Sequence, residues 1–214
     1  MSNTLLNDAD LPLPRPAAEF HSGPLPLKQV TGRWFHIYRN DVRGSAPDFF
    51  GKSAANRFDA PDKTFGVLYA AASIHGAFIE VFKREPSPQR TRRQIDELVL
   101  AIRSLAIFSS ETLRLVDLAG EGLSKLGLTA SIISTRKYHV PQAWAAAFHG
   151  HPDRPAGILY RSRHDLDQLC VAVFERAAGQ PHLESDVRLD DKKGQVVLAS
   201  ALDRYDVDVA DKTP

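Results

Sequence analysis

One cysteine, Cys170, stands in a chain of 214 residues, so no intramolecular disulfide can form. That usage fits a reducing compartment, and its setting in the apolar run LCVAVF marks Cys170 as a buried strand residue rather than a nucleophile. Long hydrophobic runs are missing too. Nothing approaches the roughly 18 consecutive apolar residues of a membrane span. Asp8 and Asp10 interrupt the N-terminal stretch where the apolar part of a secretory signal would run, so a cytoplasmic protein is expected. An excess of one charge is absent. With 27 Lys and Arg against 26 Asp and Glu, net charge gives no case for nucleic acid or a membrane surface as partner. No G-x-G-x-x-G and no Walker A motif occur, which leaves Rossmann and P-loop folds unsupported. There is no internal repeat.

Hydrophobic residues make up 43% and charged residues 25%, the balance of a globular domain, and the length suffices for a core without disulfides or metal. Five prolines, Pro12, Pro14, Pro16, Pro24 and Pro26, crowd the beginning. Proline fixes φ and lacks an N–H, so residues 1–28 read as an extended arm. The domain proper is expected over 29–205, followed by a loose acidic tail over 206–214.

Within the domain, residues 32–40 (GRWFHIYRN) alternate as a strand, with Trp34, His36 and Tyr38 on one face and Phe35, Ile37 and Arg39 on the other. Residues 45–62 carry turn formers throughout and read as a long loop. Residues 65–72 (FGVLYAAA) form a buried strand. Ser73 is placed to cap a helix that runs to about Arg84, where Pro86 and Pro88 end it. Further strands are predicted over 97–103, 113–118, 157–161, 168–175 and 195–201, with helices near 121–126 and 141–148. Strands outnumber helices without regular alternation, so the fold class is α+β, a mixed or antiparallel sheet core with peripheral helices.

Three groups of residues could carry chemistry. On the helix after Ser73, Ile74, Phe78, Val81 and Phe82 share the core-facing side, while Ser73, Gly76, Ala77 and Glu80 cluster about 120° away. A carboxylate beside such small residues leaves room for a ligand, although an ordinary solvated glutamate explains the pattern as well. Arg39 at a strand end and Arg57 in the loop NRFD could grip a phosphate or pyrophosphate with their planar forks, or form structural ion pairs. Ser162, His164 and Asp165 in GILYRSRHD suggest a hydrolase triad. Yet no G-x-S-x-G elbow is present, and neighbours in sequence rarely converge as triads do. His149 and His151 have metal-like spacing, but no Cys, Asp or Glu cluster accompanies them in sequence, and a loop after a helix explains the pair better. The basic stretch from Lys83 to Arg93 reads as a solvated connection.

In order along the chain, WFHIYR (34–39), NRFD (56–59), LYAAASIHGAFIE (68–80), DLAGEGLSKLG (117–127), YHVPQAWA (138–145), GILYRSRHD (157–165) and CVAVFE (170–175) resemble the RES family, named for an arginine, a glutamate and a serine. By position, these are Arg39, Glu80 and Ser162. The family's second arginine, in a Gly-Gly-Arg-Trp-Asn stretch, aligns with Arg57, and the tyrosine of its Leu-Tyr-Ala strand with Tyr69. Here Ala55 and Asn56 replace the glycines, Phe58 replaces the tryptophan and Asp59 the asparagine. These changes put the path of the loop in question and add a negative charge beside an expected phosphate site.

The resemblance implies an ADP-ribosyltransferase-like fold and a toxin that depletes NAD+ by hydrolysis or phosphorolysis, with inorganic phosphate as co-substrate in the second case and no metal. It implies an Xre-like helix-turn-helix antitoxin as partner, and leaves a homodimer open. Glu80, Arg39 and Tyr69 would be catalytic. Arg39, Arg57, Tyr69, Ser73 and Ser162 would bind NAD+. Transfer of ADP-ribose to a protein uses the same residues, and a silent NAD-binding module is the alternative suggested by the altered loop.

Overall fold

The computed structural model describes residues 13–17, 20–41, 51–82, 93–177 and 181–210. Its strands are β1 (Leu27–Arg39), β2 (Val67–Ala71), β3 (Arg93–Asp96), β4 (Arg103–Leu118), β5 (Gly157–Arg161), β6 (Leu169–Phe174), β7 (Pro181–Arg188) and β8 (Val207–Ala210). Its helices are α1 (Ile74–Phe82), α2 (Glu97–Ala101), α3 (Gly122–Lys125), α4 (Ser131–Ser134), α5 (His139–Gly150) and α6 (Lys192–Arg204). Residues 1–12, 18–19, 42–50, 83–92, 178–180 and 211–214 lie outside the described part, and with them the expected helix end at Arg84, Pro86 and Pro88, the basic stretch and part of the expected loop 45–62.

Two long strands organise everything else. β1 runs antiparallel to β4 along nearly its whole length, from Leu27 opposite Val116 to Arg39 opposite Arg103. The main sheet has the order β1-β2-β6-β5-β4-β7. Because β1 also pairs β4, that order returns on itself and the sheet rolls up. β5 joins β4 in parallel, whereas the remaining pairs of the main sheet are antiparallel. A mixed sheet with helices outside it is the α+β architecture the sequence suggests.

Side chains alternate across a strand, and here the alternation sorts them into two cores. Trp34, Leu68, Phe108, Leu113, Leu115, Leu159, Val171 and Val173 pack with one another on the inside of the roll. Val67, Ala71, Leu105, Ile107, Ile158, Tyr160, Cys170 and Phe174 point the other way, toward Phe78 of α1, Trp144 and Phe148 of α5 and Leu198 of α6. A strand buried on both faces reads as a continuous apolar run, as in residues 105–108 (LAIF). Parity therefore decides that Tyr69, Tyr160 and Cys170 belong to the helix side, where the functional hollow lies.

Several local expectations are corrected. Residues 97–103 begin with helix α2, because Asp96 accepts a hydrogen bond from Leu98 N–H at 2.8 Å and caps it. Residues 195–201 lie inside α6. Its paired valines favour a strand, but Asp191 caps it through Gly194 N–H, and Gly194, Leu198 and Ala201 recur at helical spacing on the buried side. The tail after Asp206 is not loose as far as Ala210, since β8 pairs in parallel with β3. β7 was not anticipated at all. Its sequence PHLESDVR is polar because it flanks the sheet beside β4.

Residues of the proline-rich arm also pack. Phe20 meets Trp144 edge-on at 5.0 Å, and the Trp144 indole N–H donates to the Pro14 carbonyl. The two histidines with metal-like spacing are packing residues. The His151 ring contacts Gly23 O at 3.0 Å. His149 stacks on Phe65 at 3.9 Å between ring centres and meets Phe174 edge-on.

Burial, and then the positive charges of Arg176 and Arg154, push the His149 imidazole down from 6.5 to about 4. The unfolded chain takes up that proton near the ordinary value and the folded chain does not, so stability falls as pH drops from about 6.5 towards 4. The ring is partly exposed, which discounts the effect to about 1–2 kcal/mol. Urea denaturation of wild type and His149→Phe at pH 7 and 4.5 checks this: the acid-side loss is expected to shrink in the variant.

Candidate active-site hollow

A hollow of about 360 Å³ opens between the helix-facing side of the sheet, α1 and the loop before β2. This is within the range of small-molecule sites. Strand parity supplies its floor: Phe35 and Ile37 from β1, Tyr69 and Ala71 from β2, Tyr160 from β5 and Cys170 from β6. One wall is α1, through Ala77, Glu80 and Val81. The polar rim consists of Asn56, Arg57, Tyr138, Arg163 and His164.

α1 begins as expected. Ser73 Oγ accepts from Gly76 N–H at 3.0 Å and donates to Gln168 Oε1 at 2.6 Å. Its small residues lie against the sheet: a Cβ added at Gly76 would stand 2.8 Å from the Cβ of Ala71. Phe78, on another side, stacks over Tyr205 next to α6. This close approach brings the next turn, with Glu80, over the hollow. Burial first, then Cys170 and Glu80, push the Tyr160 hydroxyl well up; burial first and Glu80 second do the same to the Cys170 thiol. The carboxylate thus acts electrostatically on the floor of the hollow.

Arg57 is only 9% exposed. Its Nη1 donates to the carbonyl of Thr135 at 2.6 Å, just after α4, and its guanidinium lies 4.9 Å from the centre of the Tyr138 ring. A cation near the C-terminal end of a helix, and over an aromatic face, is favourably placed. Burial is the largest influence on Arg57 and pulls its pKa down; Arg163 adds to that, and Tyr138, Tyr160 and Glu80 oppose it.

The loop that carries Arg57 is built around Asp59. This carboxylate is 1% exposed. One of its oxygens accepts from Ser53 Oγ at 2.7 Å, Ala55 N–H at 3.1 Å, Asn56 N–H at 3.0 Å and Asn56 Nδ2 at 3.2 Å. The other accepts from the Tyr69 hydroxyl at 2.9 Å, which in turn accepts from Phe58 N–H at 2.8 Å. Phe58 is fully buried and edge-on to Tyr160. Neither Ala55 nor Asn56 has positive φ, so glycines are not needed at those two positions; Ala54, with φ 57°, is the strained residue. An alanine in that region costs about 1–2 kcal/mol, partly offset by glycine's larger loss of chain entropy. Ala54→Gly is therefore expected to raise stability by about 0.5–1 kcal/mol in chemical denaturation.

Of the residues singled out from sequence, Glu80, Arg57 and Tyr69 meet in the hollow. Arg39 lies on the same strand face as Phe35 and Ile37 but beyond the lining, and its guanidinium grips the Asp41 carboxylate through Nε at 3.0 Å and Nη2 at 2.5 Å on the surface. Ser73 and Ser162 do not line it. Ser162 is fully buried, and its Oγ accepts from His164 N–H at 3.1 Å and Asp165 N–H at 3.4 Å. It caps the turn that presents Arg163 and His164. Sequence reasoning missed Arg163 as a rim group and considered His164 only as a triad member; it also missed Tyr138 above Arg57, and Gln142 of α5, whose Nε2 donates to the carbonyls of Ala54 at 2.9 Å and Asn56 at 3.0 Å. The signal for the rim pair was their place just after a strand end beside Ser162. Among the described residues, no group of three or more His, Cys, Asp or Glu could hold a metal ion, and no helix is long and apolar enough to cross a membrane.

The same architecture occurs in the crystal structure of the M. tuberculosis MbcT–MbcA toxin–antitoxin complex. The match has a TM-score of 0.59 at 18% identity, over 81% of this chain and 92% of that one. A search of curated proteins gives no match. The RES domain model matches residues 33–192, from within β1 to the first residue of α6. A match over that much of the sequence, taking in the whole rolled sheet and α1, means that the chain belongs to the RES domain family.

Proposed function

We propose that this protein is a toxin that cleaves the nicotinamide–ribose bond of NAD+, with water or inorganic phosphate as acceptor, and that a partner antitoxin restrains it. The observation that carries the reading is one carboxylate, Glu80, facing a hollow whose rim holds two guanidiniums, Arg57 and Arg163. Loss of nicotinamide leaves positive charge on the ribose, as in glycoside hydrolysis. A carboxylate beside that carbon stabilises the charge and orients the incoming hydroxyl. The guanidiniums suit the pyrophosphate, since planar forks bind phosphate oxygens in pairs. The Tyr69 hydroxyl is occupied by Asp59 and Phe58, so the ring is what remains to stack on the cationic nicotinamide.

The likeness to a structure of a toxin–antitoxin complex supports a partner of that kind. We take the antitoxin to be of the Xre-like helix-turn-helix kind, and the setting to be cytoplasmic, where NAD+ is at hand. Arg39 then serves the pyrophosphate only if it exchanges Asp41 for substrate.

The test is to incubate the purified protein with NAD+, with and without phosphate, and to follow nicotinamide and ADP-ribose or its phosphorylated counterpart. Release that is equally slow in wild type and Glu80→Ala ends the enzymatic reading.

A further inference from the structure

The Asp59 carboxylate does not line the hollow, yet it is among the most heavily hydrogen-bonded side chains near it. Both oxygens are used, and all five donors are neutral: the Ser53 hydroxyl, the amides of Ala55 and Asn56, the Asn56 side chain and the Tyr69 phenol. A buried carboxylate costs several kcal/mol to desolvate unless such bonds replace water, so the charge compels the loop to wrap around it. From the opposite side Gln142, itself buried, takes the carbonyls of Ala54 and Asn56. Donors of the segment immediately before Arg57 are thus fixed by a carboxylate of its own loop, and its acceptors by a side chain from α5. Tyr69 ties the same carboxylate to the floor of the hollow.

We infer that Asp59 is a positioning residue: through the loop 53–58 and the Tyr69 hydroxyl it fixes where Arg57 presents its guanidinium to a bound anion, with Gln142 as the second clamp. This deepens the function proposed above and rests on it for the identity of the anion. The arrangement also accounts for a loop that works here without paired glycines, since a charge with five donors sets the backbone path that flexible residues would otherwise have to find.

The experiment uses Asp59→Ala, Asp59→Asn and Tyr69→Phe in the full chain, with two readouts. Hydrogen exchange at the amides of Ala55, Asn56 and Phe58 reports the loop directly. Asp59→Ala is expected to speed exchange at Ala55 and Asn56 at least about tenfold, while amides of β5 and β6 keep their protection. Tyr69→Phe is expected to expose the amide of Phe58. Asparagine retains one acceptor oxygen and is expected to restore protection at Ala55 and Asn56. In NAD+ turnover, Asp59→Ala is expected to raise KM about tenfold with kcat changed less than about threefold, as loss of substrate binding requires, and Asp59→Asn to recover most of that loss. If Asp59→Ala does not fold, the other two variants carry the test. Unchanged exchange, or faster exchange with an unaltered KM, overturns the positioning role. A wild-type protein that neither binds nor cleaves NAD+ overturns the proposed function instead, and the exchange data alone then decide whether Asp59 holds the loop.

Discussion

Replacing Glu80 by glutamine is expected to lower kcat for nicotinamide release by about 10²–10⁴-fold, the usual worth of a positioned carboxylate at a charge-developing centre. The amide keeps the shape of the side chain and removes only its charge. Stability should stay within about 1 kcal/mol of wild type, because the side chain is half-buried at the edge of a hollow and not packed in the core. A second readout separates electrostatics from misfolding. Glu80 is one of the influences that push the Cys170 thiol up, so in the folded variant the thiol should titrate lower, as followed by the pH dependence of its Cβ chemical shift under native conditions. A variant with wild-type turnover would mean that the carboxylate faces the hollow without taking part in the reaction. Retained NAD+ binding with lost turnover is the pattern expected of a group that acts chiefly on the transition state.

What the sequence disclosed follows from which forces are local. The strand over 32–40 was legible because one face, Phe35 and Ile37, meets the helix-side core while Trp34 fills the inside of the roll. The capped start of α1 was legible because Ser73 bonds an amide three residues on. Glu80, Arg57 and Tyr69 were legible through family resemblance, and their meeting in one hollow accords with it. Three elements failed for physical reasons. α6 carries valines that favour extended backbone, overridden by its cap at Asp191 and by packing of Leu198. β7 has no apolar face of its own to announce it. The first half of β4 is apolar on both faces and carries no alternation. The cap at Ser73 is legible from the residues, whereas ligand contact by Ser73 and Ser162 is implied only by the resemblance, because sequence shows residue type but not direction. In the fold Ser73 and Ser162 satisfy backbone amides, and the groups they hold in place, α1 and the turn with Arg163 and His164, reach the hollow. Asp59 looked like an unwelcome charge because its five donors are assembled only in three dimensions.

Gly76→Val is expected to cost both stability and turnover, and the pairing of the two losses tests how α1 positions Glu80. Even a single added carbon at Gly76 would stand 2.8 Å from the Ala71 Cβ and 3.3 Å from the Gln168 Cβ. Neither neighbour has a flexible end that can swing aside, because both contacts are made at the carbon next to the backbone. A valine adds two further methyl groups, so α1 must lift from β2 or turn about its axis. Overpacking of this kind costs about 1–3 kcal/mol, somewhat offset by removing a helix glycine. The same displacement stretches the Ser73–Gln168 hydrogen bond at the helix start and carries Ala77 and Glu80 away from the floor of the hollow. Misplacing a reacting group by about 1 Å costs about 10²-fold in rate, so kcat should fall on that order. Gly76→Ala separates the two effects. The gain in helix propensity, about 1 kcal/mol, should leave its melting temperature close to wild type, while the smaller shift of Glu80 still lowers turnover severalfold. Should the valine variant melt early but turn over NAD+ at the wild-type rate, the approach of α1 to β2 would be a matter of packing alone, and the carboxylate at position 80 would owe its place to something other than the glycine beneath it.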